Sequence, residues 1–551
     1  MATALVALGG LALYLAVCRI YQVDEAQNLF MARVVATGQT GAYFSNALLW
    51  MLGPLSWLAR WAPDSASLFL GGRLIFLGIF FLNVVLLALN TGVRLRSEAG
   101  LVALLGAATL APLWDYGFEV RHDNLILTGL LLLWWLGRVR PRGRASYVGI
   151  GFLAVVMVFV AFKAFAYVVP LSLAFLVFPP PGHGEGRPRL LAAWGLGAGL
   201  AGLLVFLAYW ASGMGPVFLA GFHGGMGAAE SGSRFGSWIA LGRLLTQTPL
   251  LLGLSLGALG GLGLAVHRGG RATLAWEGSL PEALLLLGAL GILLINPTPF
   301  PYNLVNLVPF AYLLAFRFAA PHLEPVGSRP GGLALVLAVV LTCHLIPFLS
   351  ATWRHLGWTN HRQELLMRTA ESMTDPAKDR VYDAIGMVPS RGSIGYHWYL
   401  HSLNLRTFMD GEVASVPQML VAQPAAVFIP SYRTDWLPDS DHRFIASRYV
   451  PLADDFWVLG QILPEGGGSF EVVHAGRYQV LGLKGGAVGP LPSGSLDGQA
   501  LPHGPVALGL GPRKVQCPPG YQPVVVWVGP RLDDVPQIGP GDHRRLFVNW
   551  Y

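Results

Sequence analysis

The chain has 551 residues, 54% of them hydrophobic and only 12% charged, with a mean hydropathy of +0.52. Soluble domains carry roughly twice that charged fraction, so the composition excludes an ordinary soluble protein and marks a polytopic α-helical membrane protein. The formal net charge of +7 does not point to nucleic acid, because most of the positive residues fall in short loops between apolar segments, the pattern that orients membrane proteins.

Met1–Ile20 is almost wholly apolar. It lacks a basic start and a small-residue cleavage pattern, so it reads as a retained first transmembrane helix and not as a signal peptide. Directly after it come Asp24 and Glu25. Acids at a bilayer exit are costly near hydrocarbon, and they offer proton acceptors or oxygen ligands at the membrane surface; a solvated exit loop is the plainer reading. The loop continues to Ser67 and has helical periodicity over Glu25–Val35 and Ala47–Trp61, with Trp50, Trp57 and Trp61. The spacing predicts interfacial helices with tryptophans at headgroup level, a re-entrant hairpin being the alternative.

Further membrane-length runs lie near 68–90, 99–113, 124–137, 147–162, 164–178, 190–211, 248–266, 282–296, 303–318 and 332–350, which makes about eleven spans. Tyr147–Phe178 also reads as one long tilted helix. Alternate loops carry Arg94 and Arg96, the cluster Arg138 to Arg144, Arg187 and Arg189, Arg268 and Arg271, and Arg317 and Arg329. If these loops are cytoplasmic, the N-terminus is inside. Asp24, the 115–123 loop, Lys163, the 213–243 loop and the tail are then outside.

The second outer loop reads Asp115-Tyr116-Gly117-Phe118-Glu119-Val120-Arg121-His122-Asp123-Asn124. Arg121 offers a planar fork for a phosphate. His122 and Asp123 would orient that arginine or bind a metal, and an Arg121–Asp123 pair closing the helix hairpin is the structural alternative. Lys163, alone between apolar stretches, reaches an anion or snorkels to headgroups. His223 and Arg234 lie in a glycine-rich outer loop, and Tyr302 follows a proline-rich link. With Tyr43 of the first outer loop, His223 and Tyr302 are candidate substrate contacts.

After Ala351 no membrane-length run remains. Residues 351–464 read as α/β, with a helix at Arg362–Met373 and strands at Ala425–Ile429 and Phe456–Ile462. Residues 465–551 are rich in glycine and proline with short β-like runs at Tyr478–Leu483, Val506–Leu510 and Pro523–Gly529, which predicts a separate small β-sandwich. Trp398, Tyr399 and Trp436 would stack on sugars or pack a core. The three cysteines form no disulfide or zinc pattern.

The order of first span, Asp-Glu loop, interfacial helices, second span, Arg-x-Asp loop and later lysine resembles the GT-C superfamily of integral-membrane glycosyltransferases. The resemblance is carried by Val23-Asp24-Glu25-Ala26, by Met31-Ala32-Arg33-Val34-Val35-Ala36-Thr37-Gly38, by Val120-Arg121-His122-Asp123 and by Asp379-Arg380-Val381-Tyr382-Asp383. It is nearest to the protein O-mannosyltransferases and the lipid A aminoarabinose transferases. It implies residues 1–350 as the catalytic domain, transfer of a sugar from a polyprenyl-phosphate donor to a lipid, glycan or protein acceptor, inversion at the anomeric carbon, and a multi-pass place in a bacterial cytoplasmic membrane with an extracytoplasmic tail. Asp24 takes the general-base position, with Glu25 as the adjacent acid. Arg121, Lys163 and Arg234 are the donor-phosphate candidates, and Tyr43, His122, Asp123, His223 and Tyr302 the other substrate contacts. Some members use a divalent metal (Mg, Mn or Zn) and some none; here its ligands would be Asp24, His122 and Asp123. The lysine-proline motif of the aminoarabinose transferases is missing, since the stretch reads Tyr43-Phe44-Ser45-Asn46-Ala47-Leu48-Leu49-Trp50. Lipid A is therefore not required as acceptor. A transporter or flippase of an anionic lipid-linked sugar is the other reading, disfavoured by the gathering of polar groups on one side.

Overall fold

The computed structural model describes residues 2–38, 49–139, 143–177, 186–211, 213, 235–268, 280–295, 300–327, 332–395, 399–400 and 408–547. The membrane part opens with α1 (Ala2–Cys18), α2 (Val23–Thr37), α3 (Leu49–Trp61) and α4 (Ser65–Asn90). It continues with α5 (Glu98–Ala108), α6 (Ala111–Tyr116), α7 (His122–Trp134), α8 (Arg144–Val158), α9 (Ala164–Val177) and α10 (Arg187–Ala211). Then come α11 (Phe235–Gln247), α12 (Pro249–His267), α13 (Leu280–Ile295), α14 (Leu304–Gly327), α15 (Gly332–Val340) and α16 (Ile346–Leu356).

The predicted spans fall largely on helix among the described residues; the run at 99–113 is divided between α5 and α6, and 147–177 is two helices separated by a break that carries Lys163. By length and apolarity alone, three described helices cross a membrane: Ser65–Asn90, Arg187–Ala211 and Pro301–Ala319. Several others, α1, α5, α8, α9 and α13 among them, are shorter and lean on neighbours. One such contact is between α8 and α10. A Cβ on Gly151 would run into the carbonyl of Trp194, and one on Gly197 into that of Val148, so the two backbones touch in the small-residue packing used in membranes.

An ion-pair group and an arginine–tyrosine hydrogen bond tie the two ends of the bundle. Glu282 Oε1 lies 3.0 Å from Arg138 Nε and 3.0 Å from Arg317 Nη1, which ties the end of the α7 segment, the start of α13 and the middle of α14 together. At the other end Arg243 Nη1 donates to Tyr116 Oη at 2.9 Å, beside the loop that joins α6 and α7. The tail docks on this second end. Tyr21 N donates to Gln363 Oε1 at 2.7 Å, Gln363 Nε2 returns a bond to the Tyr21 carbonyl at 3.0 Å, and Ser65 N donates to Glu371 Oε1 at 2.8 Å. Residues of α2, α4 and the tail share one hydrophobic core, including Leu29, Phe69, Met367 and Met373.

The tail begins with α17 (His361–Met373), followed by α18 (Val416–Ala422) and α19 (Asp439–Arg448). Its strands include β1 (Val381–Tyr382), β2 (Val427–Phe428), β3 (Tyr449–Ala453), β4 (Phe456–Ile462), β5 (Gly467–Val472), β6 (Gly476–Lys484) and β7 (Ala487–Pro490). They are followed by β8 (Ser495–Leu496), β9 (Gln499–Ala500), β10 (Val506–Leu508), β11 (Gly511–Gln516) and β12 (Gln522–Trp527). One sheet runs β1-β2-β4-β12-β6-β10, with β3 on β4 and β7 on β6; a second runs β5-β11-β8-β9.

This corrects the expected division at 464/465. Val427 pairs with Val458 in the first half of β4, and Val524 pairs with Ile462 at its end. The strand order is long-range, so a shift in composition at Glu465 did not mark a structural boundary. The boundary at 350/351 also falls inside α16.

Candidate functional site

Gln22 caps α2, and its backbone N–H donates to Glu25 Oε2 at 2.9 Å, so the acid three residues into the helix closes the first turn. Adjacent helical positions lie about 100° apart. Asp24 and Glu25 therefore face different surroundings. Asp24 is one-third exposed, and its Oδ2 lies 2.6 Å from Arg121 Nη1. Glu25 is fully buried.

Arg121 belongs to the loop between α6 and α7 and is only 6% exposed. Its guanidinium stacks 3.9 Å from the centroid of the Tyr302 ring, and its Nε is 3.6 Å from Asp123 Oδ2. Asp123, in the first turn of α7, also pairs with Lys163 through Oδ1. Lys163 Nζ lies 4.8 Å from the same Tyr302 ring, and His122 Nε2 is 3.7 Å from Asp123 Oδ2. Asn306 Nδ2 donates to Asp123 Oδ1 at 3.4 Å. The structure thus brings Asp24, Arg121, His122, Asp123, Lys163 and Tyr302 into one group. Tyr43, His223 and Arg234, like Trp398, lie outside the described residues.

Glu25 does not join this group, which corrects its reading as a second surface acid. Arg73 grips it with Nε on Oε1 at 2.9 Å and Nη2 on Oε2 at 2.6 Å. Val120 N donates to Oε1 at 3.1 Å. Both oxygens are occupied. Burial pushes the Glu25 carboxyl up, but the Arg73 guanidinium outweighs it and the net direction is down. Arg73 also donates to the carbonyls of Arg19 and Ile20, so this pair pins the turn between α1 and α2.

A third buried acid supports the loop. Glu119 Oε1 accepts from Arg19 Nη2 at 2.6 Å, while Oε2 is 3.8 Å from Arg121 Nη1 and has no hydrogen-bond partner among the described residues. Burial is the main cause that raises this carboxyl, and neighbouring Glu25 adds to it. Against the pull of Arg19 and Arg121 the result is about 8.

Four contributors escaped the sequence reading. Arg73 had a signal, since a charge inside an apolar helix needs a partner. Arg19 and Glu119 sit at helix and loop ends where charge is ordinary. Arg433 comes from the tail. Its guanidinium lies 4.8 Å from the centroid of Trp436 and 5.5 Å from that of Tyr432, and Nε donates to Tyr432 Oη at 3.0 Å. Burial disfavours its charge, but Tyr399, Tyr432 and the field of Asp24 more than offset this and hold it above the ordinary arginine value.

The donor set does not fit a divalent metal. The carboxylate of Asp123 faces Lys163 and Arg121, and that of Asp24 faces Arg121, so a dication at Asp24, His122 and Asp123 would sit against two fixed cations. No group of three or more His, Cys, Asp or Glu side chains suited to a metal occurs among the described residues.

No family model matches this sequence, and no curated protein matches it. Among solved structures, ArnT from Cupriavidus metallidurans, crystallised with undecaprenyl phosphate, is similar with a TM-score of 0.52 at 15% identity, over 83% of this chain and 97% of that one. At that identity the likeness concerns the fold alone: the chain shares that structure's architecture, a bundle of apolar helices joined to a sheet-bearing tail.

Proposed function

We propose that the chain is a glycosyltransferase of a bacterial cytoplasmic membrane, moving a sugar from a polyprenyl-phosphate donor to a lipid, glycan or protein acceptor on the outer face. The observation that carries this reading is the one-third-exposed carboxylate of Asp24 set beside the buried Arg121 and the partly buried Lys163. The fold shared with a protein crystallised with undecaprenyl phosphate supports a donor of that class.

In the proposed reaction Asp24 takes the proton of the acceptor hydroxyl, which requires hydrogen-bond reach. The acceptor oxygen forms a bond to the anomeric carbon as the bond from that carbon to the phosphate oxygen breaks. The electron pair leaves with the polyprenyl phosphate, and attack from the opposite side inverts the centre. Arg121 and Lys163 offset the charge growing on the departing phosphate. When a phosphate oxygen shares the fork of Arg121, Asp24 loses part of its pairing and becomes the stronger base. Asp123 holds the two cations at the right separation, and the aromatic face of Tyr302 backs both. The chain's own cations fill the part a metal would take, so the proposed reaction runs without one.

The test is transfer of radiolabel from polyprenyl-phosphate sugars to membrane acceptors. Wild type is expected to move label and a folded Asp24→Asn variant to move it about 10²–10⁴ times more slowly. Full activity in that variant would remove Asp24 from the base role, and no transfer from any donor would remove the reading.

A further inference from the structure

A second basic site lies away from Asp24, where the far half of α2 meets the tail. It is a cavity of about 560 Å³ lined by Phe30, Arg33, Val34, Thr37, Arg380, Arg391, Ser393 and Gln423 among others. Among the described residues three arginines line it and no acid does. Phe30, Arg33, Val34 and Thr37 recur at the spacing of one helix face, so α2 turns this face to the tail.

The three arginines differ. Arg391 is a fixed wall: Nε donates to Thr374 Oγ1 at 2.6 Å, Nη1 to Ser390 and Nη2 to the carbonyls of Glu371 and Thr374. Glu371 stands behind that wall with its carboxylate on Ser65 N and Ser390 Oγ. Arg33 and Arg380 each spend one nitrogen on a carbonyl, Ala59 and Ser393 respectively. Neither forms an ion pair among the described residues, so each has donors left to offer.

The position says what they face. Ala59, which Arg33 grips, is flanked on α3 by Trp57 and Trp61, 69% and 71% exposed. Exposed tryptophans on an amphipathic helix sit at headgroup level. Arg33 thus ties the cavity to a helix whose tryptophans suit the depth of phospholipid headgroups.

We propose that Arg33 and Arg380 form a binding site for the phosphate of a net-anionic phospholipid headgroup, clamping the tail to the membrane surface beside α2. Arg33 moves with the interfacial helices and Arg380 with the tail, so one phosphate bridges the two. The site is independent of the sugar-transfer reading.

The experiment uses the full chain in neutral detergent and measures binding of phosphatidylglycerol, phosphatidylcholine and inorganic phosphate by native mass spectrometry and thermal melting. Wild type is expected to prefer phosphatidylglycerol to phosphatidylcholine. The Arg33→Gln/Arg380→Gln variant should lose roughly thirtyfold of that affinity, a factor of about five for each arginine. Arg380→Glu alone should also lose the preference, and it serves if removal of the Arg33 contact with α3 prevents folding. Arg368→Gln, a change at an exposed arginine of α17, should change nothing. Unaltered preference in folded Arg380→Glu overturns the proposal. So does displacement of the lipid by inorganic phosphate at equal concentration, which would make the ligand a free anion. Asp24→Asn should bind the lipid as wild type does, so the site stands or falls apart from the transferase reading.

Discussion

Asp24 and Glu25, consecutive on α2, each pair with a different arginine: Asp24 with Arg121 at a partly open surface, Glu25 with Arg73 in full burial. Removing each charge therefore has a different consequence. Asp24→Asn keeps the fold, because its position is one-third exposed, and is expected to lower kcat by about 10²–10⁴, the usual range for a lost general base. Label transfer together with the melting temperature checks both halves of this statement.

Glu25→Gln should behave the opposite way. It leaves the Arg73 guanidinium buried without a counter-charge, and breaking a buried pair from one side costs about 3–5 kcal/mol. Loss of yield and a lower melting temperature in detergent are expected, with kcat per folded molecule close to wild type. A folded, stable and inactive Glu25→Gln would instead give Glu25 a direct part in the chemistry.

Arg121→Lys tests the fork. Lysine keeps the charge but not the planar pair of donors, nor the stacking on Tyr302 at 3.9 Å. Since one lost transition-state donor costs about 10²–10³ in rate, kcat is expected to fall on the order of a hundredfold, with a smaller change in KM for the donor. A change confined to KM would mean that Arg121 only binds the ground state.

Glu119 makes stability depend on pH. Its carboxyl is raised from an ordinary 4.5 to about 8, chiefly by burial, so the folded chain holds this proton more tightly than the unfolded one. That contribution is fully present below about pH 4.5 and is lost as pH rises through about 8. The melting temperature of wild type should therefore fall between pH 6 and 9, and the fall should be shallower in Glu119→Gln. Parallel pH profiles for the two proteins would contradict the assignment.

Metal removal gives a fifth outcome. With Lys163 and Arg121 already facing the carboxylates of Asp123 and Asp24, dialysis against a chelator should leave transfer unchanged, and added Mg²⁺, Mn²⁺ or Zn²⁺ should not raise it. Activity lost on chelation and restored by one of these ions would reverse this view of the site.

Much of the frame was legible because its signals are local. Apolar runs marked the helical segments, the break at Lys163 appeared as one charge between two such runs, and Arg-x-Asp in a short outer loop announced the group around Arg121. Pairing was not legible. Nothing at Glu25 says that its partner is Arg73, 48 positions away, and two adjacent acids read alike until a helix turns them apart. Arg433 was invisible for the same reason, since only the docking of the tail brings it under the field of Asp24. The tail strands were readable one by one, but their order was not, because Phe456–Ile462 gives no hint that its neighbour is Gln522–Trp527.

That strand order bears on how the protein is made. β4 is complete at Ile462, yet the strand that covers its open edge ends at Trp527. During synthesis the end of β4 therefore lacks this partner until some sixty further residues have followed it. Such an edge is a template for pairing with other chains, and non-local closure of this kind is slow. The hazard is one of biogenesis: the newly made tail carries an unpaired strand edge during that interval, and truncation before Gln522, which removes β12 and all that follows it, should produce aggregates and not a shortened protein.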